Sequence, residues 1–309
     1  MDLEALTAGD PDAAHLARFG LERRHRYALR PTRATCLVWA IPASTSVHIK
    51  PLATLAAALV LSVSPVSFVQ SHAAGGAYSE PNGTTDALLT SWAVLGLRAA
   101  GAQSPDSLAY LQSQEATLKS SNDFAIVALA EQALGARNEA LLAHLRVRPN
   151  GQIGESLNST FWGVLALGHS NAVTTRFLLT HQARSGGFAW YLNGRPDSND
   201  TAAALEALRV AGVRGKVVSR AVVFLRSFQN RDGGFELTQG RGSDAQSTAW
   251  AIQGLVAAGV TPPRSAFAYL AGLKRADGSY RYSARYVTTP VWVTSQVLAA
   301  VAKKPFPLR

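Results

Sequence analysis

The chain has 309 residues, of which 47% are hydrophobic and 16% charged, with a single cysteine and a formal net charge of +10. That balance supplies a core for a folded globular chain and leaves no cysteine pair for an internal disulfide. After residue 74 the basic residues are spread over outer helices and loops, not bunched with aromatics. This is the pattern of a solvated surface, or of one drawn to an anionic cell-envelope polymer, and carries no nucleic-acid signature.

Residues 1–46 lack helical periodicity and hold the cluster Arg23, Arg24, His25 and Arg26 together with Cys36. They read as an upstream extension from a misassigned start. From Val47 a lysine precedes an apolar run from Leu52 to Val69, followed by the small-x-small triplet Ser71-His72-Ala73. Residues 47–74 thus form a signal-peptide pattern, with cleavage expected between about residues 72 and 78 and a secreted or extracytoplasmic product. An N-terminal membrane anchor is the alternative, although Pro65 interrupts a run barely long enough to span. Residues 75–309 contain no cysteine and must be held by their core alone.

Trp92, Trp162, Trp250 and Trp292 recur in similar apolar segments, with Ile126 and Ala203 at the corresponding places in two others. Five steps between positions 92 and 292 give a period of about 40 residues, that of a helix pair. Each unit opens on polar capping residues such as Asn199 and Asp200 or Ser243 and Asp244, and its first helix ends near a glycine. A second helix comes next, then a glycine turn at 148–154, 182–188, 229–235 or 274–280. The first helices are apolar almost all round, whereas the second carry Arg176, Arg220, Arg226 and Lys274. A helix apolar on every side is buried on every side, so the first set forms an inner ring and the second an outer one. The expectation is all-α, an α/α toroid over roughly 82–302. It has six inner helices and about five outer ones, the sixth missing or replaced by an irregular terminus.

FLLTHQARSGGF and FLRSFQNRDGGF each place Q-x-x-x-G-G-F after an apolar helix. They resemble the Gln-to-aromatic repeats of the squalene-hopene cyclase and prenyltransferase superfamily, whose fold is an α/α toroid with a central apolar cavity. The resemblance implies that Gln182, Phe188, Gln229 and Phe235 tie outer helices to turns. Gly187 and Gly234 are expected to supply positive backbone angles. DSNDTAAAL at 197–205 is similar to the Asp-x-Asp-Asp-Thr-Ala motif of class II terpene cyclases, in which the middle Asp protonates the substrate. Here that place is Asn199, and an amide cannot deliver the proton. Asp197, Asp200 and Asp244 are the remaining acid candidates, with helix capping as the competing reading. The zinc of protein prenyltransferases has no cysteine to hold it after residue 74. His144, His169 and His181 fall in different units without metal-site spacing. No metal and no cofactor are expected, and the Cys-Gly-Glu-Gln segment of thioester toroids is absent.

These observations favour a secreted, non-catalytic binding or scaffold protein. Its lumen would hold a small apolar ligand (an isoprenoid, a lipid or a corrinoid-like molecule) among Trp92, Trp162, Asn199, Asp200, Trp250 and Trp292. The alternative is a terpene cyclase-like or prenyltransferase-like enzyme acting on an isoprenoid. A third reading is a structural envelope protein that uses its outer surface.

Overall fold

The computed structural model describes residues 63–308, all within a compact unit that begins at Leu59. The upstream extension 1–46, with its Arg/His cluster and Cys36, lies outside the described residues, as does the stretch 47–62. Among the described residues no helix is long and apolar enough to cross a membrane.

Twelve α-helices carry the described chain. In order they are α1 Pro65–Gln70, α2 Ala87–Ala99, α3 Ser107–Ser113, α4 Ser121–Ala133, α5 Glu139–Ala143 and α6 Leu157–Leu167, then α7 Ala172–Thr180, α8 Ser198–Val210, α9 Lys216–Arg226, α10 Ala245–Ala257, α11 Arg264–Leu273 and α12 Pro290–Val301. A two-stranded hairpin, Ala73–Ala74 with Ala77–Tyr78, is the sheet among the described residues. The even-numbered helices are buried on nearly every face, and each packs on the next in sequence. The ring closes where α12 packs against α2.

Polar caps start these inner helices, because the first amides of a buried helix need acceptors. Asp86, Ser120, Ser156, Asp197 and Asp244 are the N-caps of α2, α4, α6, α8 and α10, and each side chain accepts from backbone N–H groups of its own first turn. α12 breaks the pattern. Its N-cap Thr289 makes no side-chain cap bond, and the carboxylate of Glu80 instead accepts from the N–H groups of Val291 and Trp292, both at 2.9 Å.

Helix α1 lies ahead of the repeats read from the sequence. It packs against α12 and α2, in the place of a sixth outer helix, with Val69 fully buried and Phe68 nearly so. It is docked as its counterparts are. A Cβ added at Gly278 would lie 2.7 Å from the Ser64 carbonyl oxygen, just as one at Gly186 or Gly233 would lie 2.6 Å from the carbonyl of Arg220 in α9 or Ser265 in α11. The segment read as a cleavage site, Ser71 to Tyr78, contains the hairpin whose Tyr78 is 1% exposed. It occupies the position of a glycine turn in the first unit. An apolar helix followed by small residues is chemically the same string whether it ends a signal or packs on a ring.

The two glycines of each G-G-F turn have different tasks, which corrects the expectation for Gly187 and Gly234. Positive φ belongs to the first of each pair, 97° at Gly186 and 89° at Gly233. Gly187 and Gly234 are needed for space. A Cβ on Gly187 would lie 2.6 Å from Cδ1 of Phe224, and one on Gly234 would lie 2.8 Å from the Tyr269 ring. The flanking residues complete the joint. Gln182 Nε2 donates to the Gly186 and Val217 carbonyls, and Gln229 Nε2 to the Gly233 carbonyl and Ser265 Oγ. Phe188 and Phe235 are fully buried.

Candidate functional site

A threonine marks the register of the inner helices. Thr90, Thr160, Thr201, Thr248 and Thr294 accept through Oγ1 from the backbone N–H of Tyr78, Ile153, Phe188, Phe235 and Tyr280 respectively. Two residues beyond it stand Trp92, Trp162, Ala203, Trp250 and Gln296, and two residues before it stand Leu88, Asn158, Asn199, Gln246 and Trp292. In α12 the sequence alignment on Trp292 is therefore wrong by one helical turn. Gln296, not Trp292, occupies the place of the tryptophans. The error arises from matching the largest side chain when the repeated contact is a hydroxyl.

The indoles of Trp92, Trp162 and Trp250 come from alternate inner helices and meet one another. Their ring centroids are 5.5–5.7 Å apart and their planes nearly perpendicular, 83–88°, an edge-to-face triangle. Helices α2, α6 and α10 are not ring neighbours, so the contact lies on the axis. The lumen is filled at this level. Trp292 is buried elsewhere, against the Glu80 cap.

One helical turn towards the N-terminal ends lies a band of amides, because positions four apart share a helix face. Asn122 Nδ2 donates to Asn158 Oδ1 at 3.0 Å, and Asn158 Nδ2 donates to Asp200 Oδ1 at 2.7 Å, linking α4, α6 and α8. Asn199 is 7% exposed, with Oδ1 accepting from Ser198 Oγ at 3.2 Å and Nδ2 buried without a hydrogen-bond partner. Loops cover this end. The N–H groups of Asn158, Ser198 and Ala245 donate to the carbonyls of Trp190, Leu237 and Tyr282, each two residues past a turn aromatic. Glu80, two residues past Tyr78, meets α12 with a carboxylate in the same place.

The candidate acids are held at this end as caps. Asp197 accepts from Asp200 N–H at 2.8 Å, and Asp244 from Ser247 N–H and Oγ at 2.7 and 2.8 Å. Both are 2–3% exposed. Each is thus engaged with the first turn of its own helix. The histidines lie apart: His144 stacks on Phe124, His181 Nδ1 bonds to the Phe177 carbonyl, and His169 is exposed. Among the described residues no three His, Cys, Asp or Glu side chains are placed to share a metal.

The opposite end holds what the sequence reading missed. Phe306, close to the end of the chain, is 1% exposed and lies with its ring 6.0 Å from that of Trp92 and 6.4 Å from that of Trp250. Its N–H donates to Glu206 Oε2 at 2.7 Å and its carbonyl accepts from Arg209 Nη2. Glu206 is completely buried, and burial pushes its carboxyl up to about 8, against the opposing pull of the Phe306 N–H and of Arg209. In TAAALEALRV the two lie three residues apart with nothing to mark them. The signal lay in register, since Glu206 comes seven residues after Asn199 and three after Ala203 and so shares their face.

With the ring, its filled axis and its two ends described, likeness to known proteins acquires a structural meaning. No protein-family model matches the sequence, and no curated protein does so. Solved structures match over most of the chain. The ent-copalyl diphosphate synthase of Streptomyces platensis aligns with a TM-score of 0.53 at 20% identity, covering 72% of this chain and 51% of that one. The chain has the α/α-toroid fold of terpene cyclases and protein prenyltransferases. It spans about half the length of that synthase. A variant of the type II terpene cyclase MstE from Scytonema, in complex with geranylgeranyl dihydroxybenzoate, aligns with a TM-score of 0.56 at 16% identity, covering 77% of this chain and 94% of that one. Candida albicans protein geranylgeranyltransferase-I complexed with GGPP gives 0.55 at 12% identity, covering 72% and 86%.

Proposed function

We propose that this chain is an exported, non-catalytic toroid that binds a small apolar molecule of the isoprenoid or lipid class. The observation that carries the reading is Asn199. The residue that stands where a class II cyclase has its acid is a buried amide, and the neighbouring Asp197 and Asp200 are engaged with the α8 amide and with Asn158. An amide neither protonates an alkene nor becomes able to by burial. The ligand class is suggested by fold neighbours that hold geranylgeranyl dihydroxybenzoate and GGPP.

Export is part of the proposal, with processing upstream of Val63 so that α1 remains to complete the outer ring. The test is to purify the exported protein, identify what accompanies it by native mass spectrometry and solvent extraction, and assay it on polyprenyl substrates. A co-purifying isoprenoid or lipid and no turnover is the expected result. Product formation that disappears in Asp197→Ala or Asp200→Ala would replace this reading with that of a cyclase.

A further inference from the structure

We propose that the C-terminal segment around Phe306 is an intramolecular plug seated in the ligand site, and that a ligand with an apolar body and a hydroxyl or carboxyl head displaces it. The inference rests on the binding reading and adds to it the place, the gate and the head group.

Phe306 is bound as a ligand is bound. Its ring lies against Trp92 and Trp250 on the axis, and its two backbone polar atoms are held by side chains, not by helix or sheet partners. Glu206 accepts and Arg209 donates, so the pair recognises one donor and one acceptor side by side. A hydroxyl group presents both on a single oxygen, and a carboxyl group presents both on adjacent ones.

The surroundings carry more polar capacity than the segment uses. Glu206 Oε1, both side-chain polar atoms of Gln253 and both of Gln296 are buried without hydrogen-bond partners, and all three residues are 0–1% exposed. Gln253 stands five residues past Thr248 on α10, as Glu206 stands five past Thr201 on α8. Gln296 stands at the tryptophan level of α12. Three successive inner helices thus carry buried unpartnered polar atoms at or just beyond the tryptophan level, where each costs stability unless it is met. A core that needed only packing would be filled by aliphatic residues there. Phe306 supplies the apolar contact and leaves Glu206 Oε1 unmet, an atom of the same carboxyl that holds the segment. Arg209 and the buried Glu206 also explain why the seat is selective, since a hydrocarbon without a head would strip both of the partners that the segment now provides.

The test uses geranylgeraniol as probe, the saturated hydrocarbon phytane as the headless control, and the full-length protein. Binding is read by tryptophan fluorescence, and release of the segment by its digestion with carboxypeptidase. Geranylgeraniol is expected to bind, to accelerate digestion of the C-terminal residues, and to bind about tenfold more tightly to Phe306→Ala, in which the competing side chain is gone. Phytane is expected to do none of these. If wild-type protein binds geranylgeraniol with the C-terminal residues still protected, and Phe306→Ala binds no more tightly, the plug is refuted and the binding reading stands. If neither protein binds any isoprenoid or lipid, the binding reading itself fails. Should Phe306→Ala not fold, the digestion of wild-type protein decides alone.

Discussion

Replacing Glu80 with glutamine leaves the shape of the α12 cap in place and removes its charge. Burial raises the Glu80 carboxyl from 4.5 to about 7, although the Val291 and Trp292 N–H groups pull it down. Between those values the folded chain keeps a proton that the unfolded chain has released. The contribution therefore favours folding below the unfolded value, declines as pH rises through the window, and is lost above about 7. A shift of that size corresponds to about 3 kcal/mol, or roughly 6–12 °C in Tm for a domain of this size. Glu206, raised from 4.5 to about 8, adds a decline of the same sign that continues one unit further. Thermal melts of wild type, Glu80→Gln and Glu206→Gln between about pH 5 and 8.5 separate the two. Glu80→Gln is expected to halve the fall below pH 7 and to keep the part between 7 and 8, whereas Glu206→Gln halves the fall below pH 7 and abolishes the part above it. A Glu80→Gln protein whose Tm falls as steeply as wild type between pH 5 and 7 would show that the seam between α12 and α2 does not rest on a carboxyl held partly neutral.

Gly186→Ala and Gly187→Ala should each destabilise the ring by roughly 1–3 kcal/mol, for different reasons. Phe224→Leu should restore part of the loss in Gly187→Ala and none in Gly186→Ala, measured by denaturant unfolding, and equal rescue of both would contradict the assignment of strain to one and crowding to the other. Asn199→Asp should not create cyclase turnover on a polyprenyl substrate, because the axis beneath it is filled by three indoles. Product detected by mass spectrometry from this variant would show that the triangle opens. N-terminal sequencing of exported protein should find a start before Val63. A start between residues 72 and 78 on a protein with an undiminished Tm would remove α1 from the fold's requirements.

Much of the ring was legible because its determinants are local and repeated. Apolar runs of about 14 residues, capping Asp and Ser, and glycine turns carry their meaning within a few positions, and each copy corroborates the next. What stayed hidden was whatever depended on contacts across the ring. Helix α1 is a six-residue piece whose closest docking contact, Gly278 against the Ser64 carbonyl, and whose main helix partner, α12, lie more than 200 residues away in sequence. Composition alone cannot separate it from a signal. The paired glycines show the same limit on a smaller scale: a Gly-Gly string announces that freedom or space is needed, but φ at Gly186 and the Phe224 ring at Gly187 decide which glycine serves which need.

The site was less legible, since its character depends on side-chain size at one level of six helices. With Trp92, Trp162 and Trp250 on alternate helices and Ile126, Ala203 and Gln296 between them, each large side chain faces the axis between two smaller neighbours. Three indoles then fit edge to face, and they close what three smaller residues would leave open. A series of tryptophans in sequence reads equally well as the wall of a cavity or as its filling. The choice is made by spacing across the ring, which no single helix records. It also moves the chemistry. A filled axis separates the amide end, where Asn199 and the caps lie, from the end where Glu206 and Arg209 hold Phe306. Any ligand that enters beside Phe306 is therefore screened from Asp197 and Asp200 by the indoles, and the carboxyl it meets is Glu206.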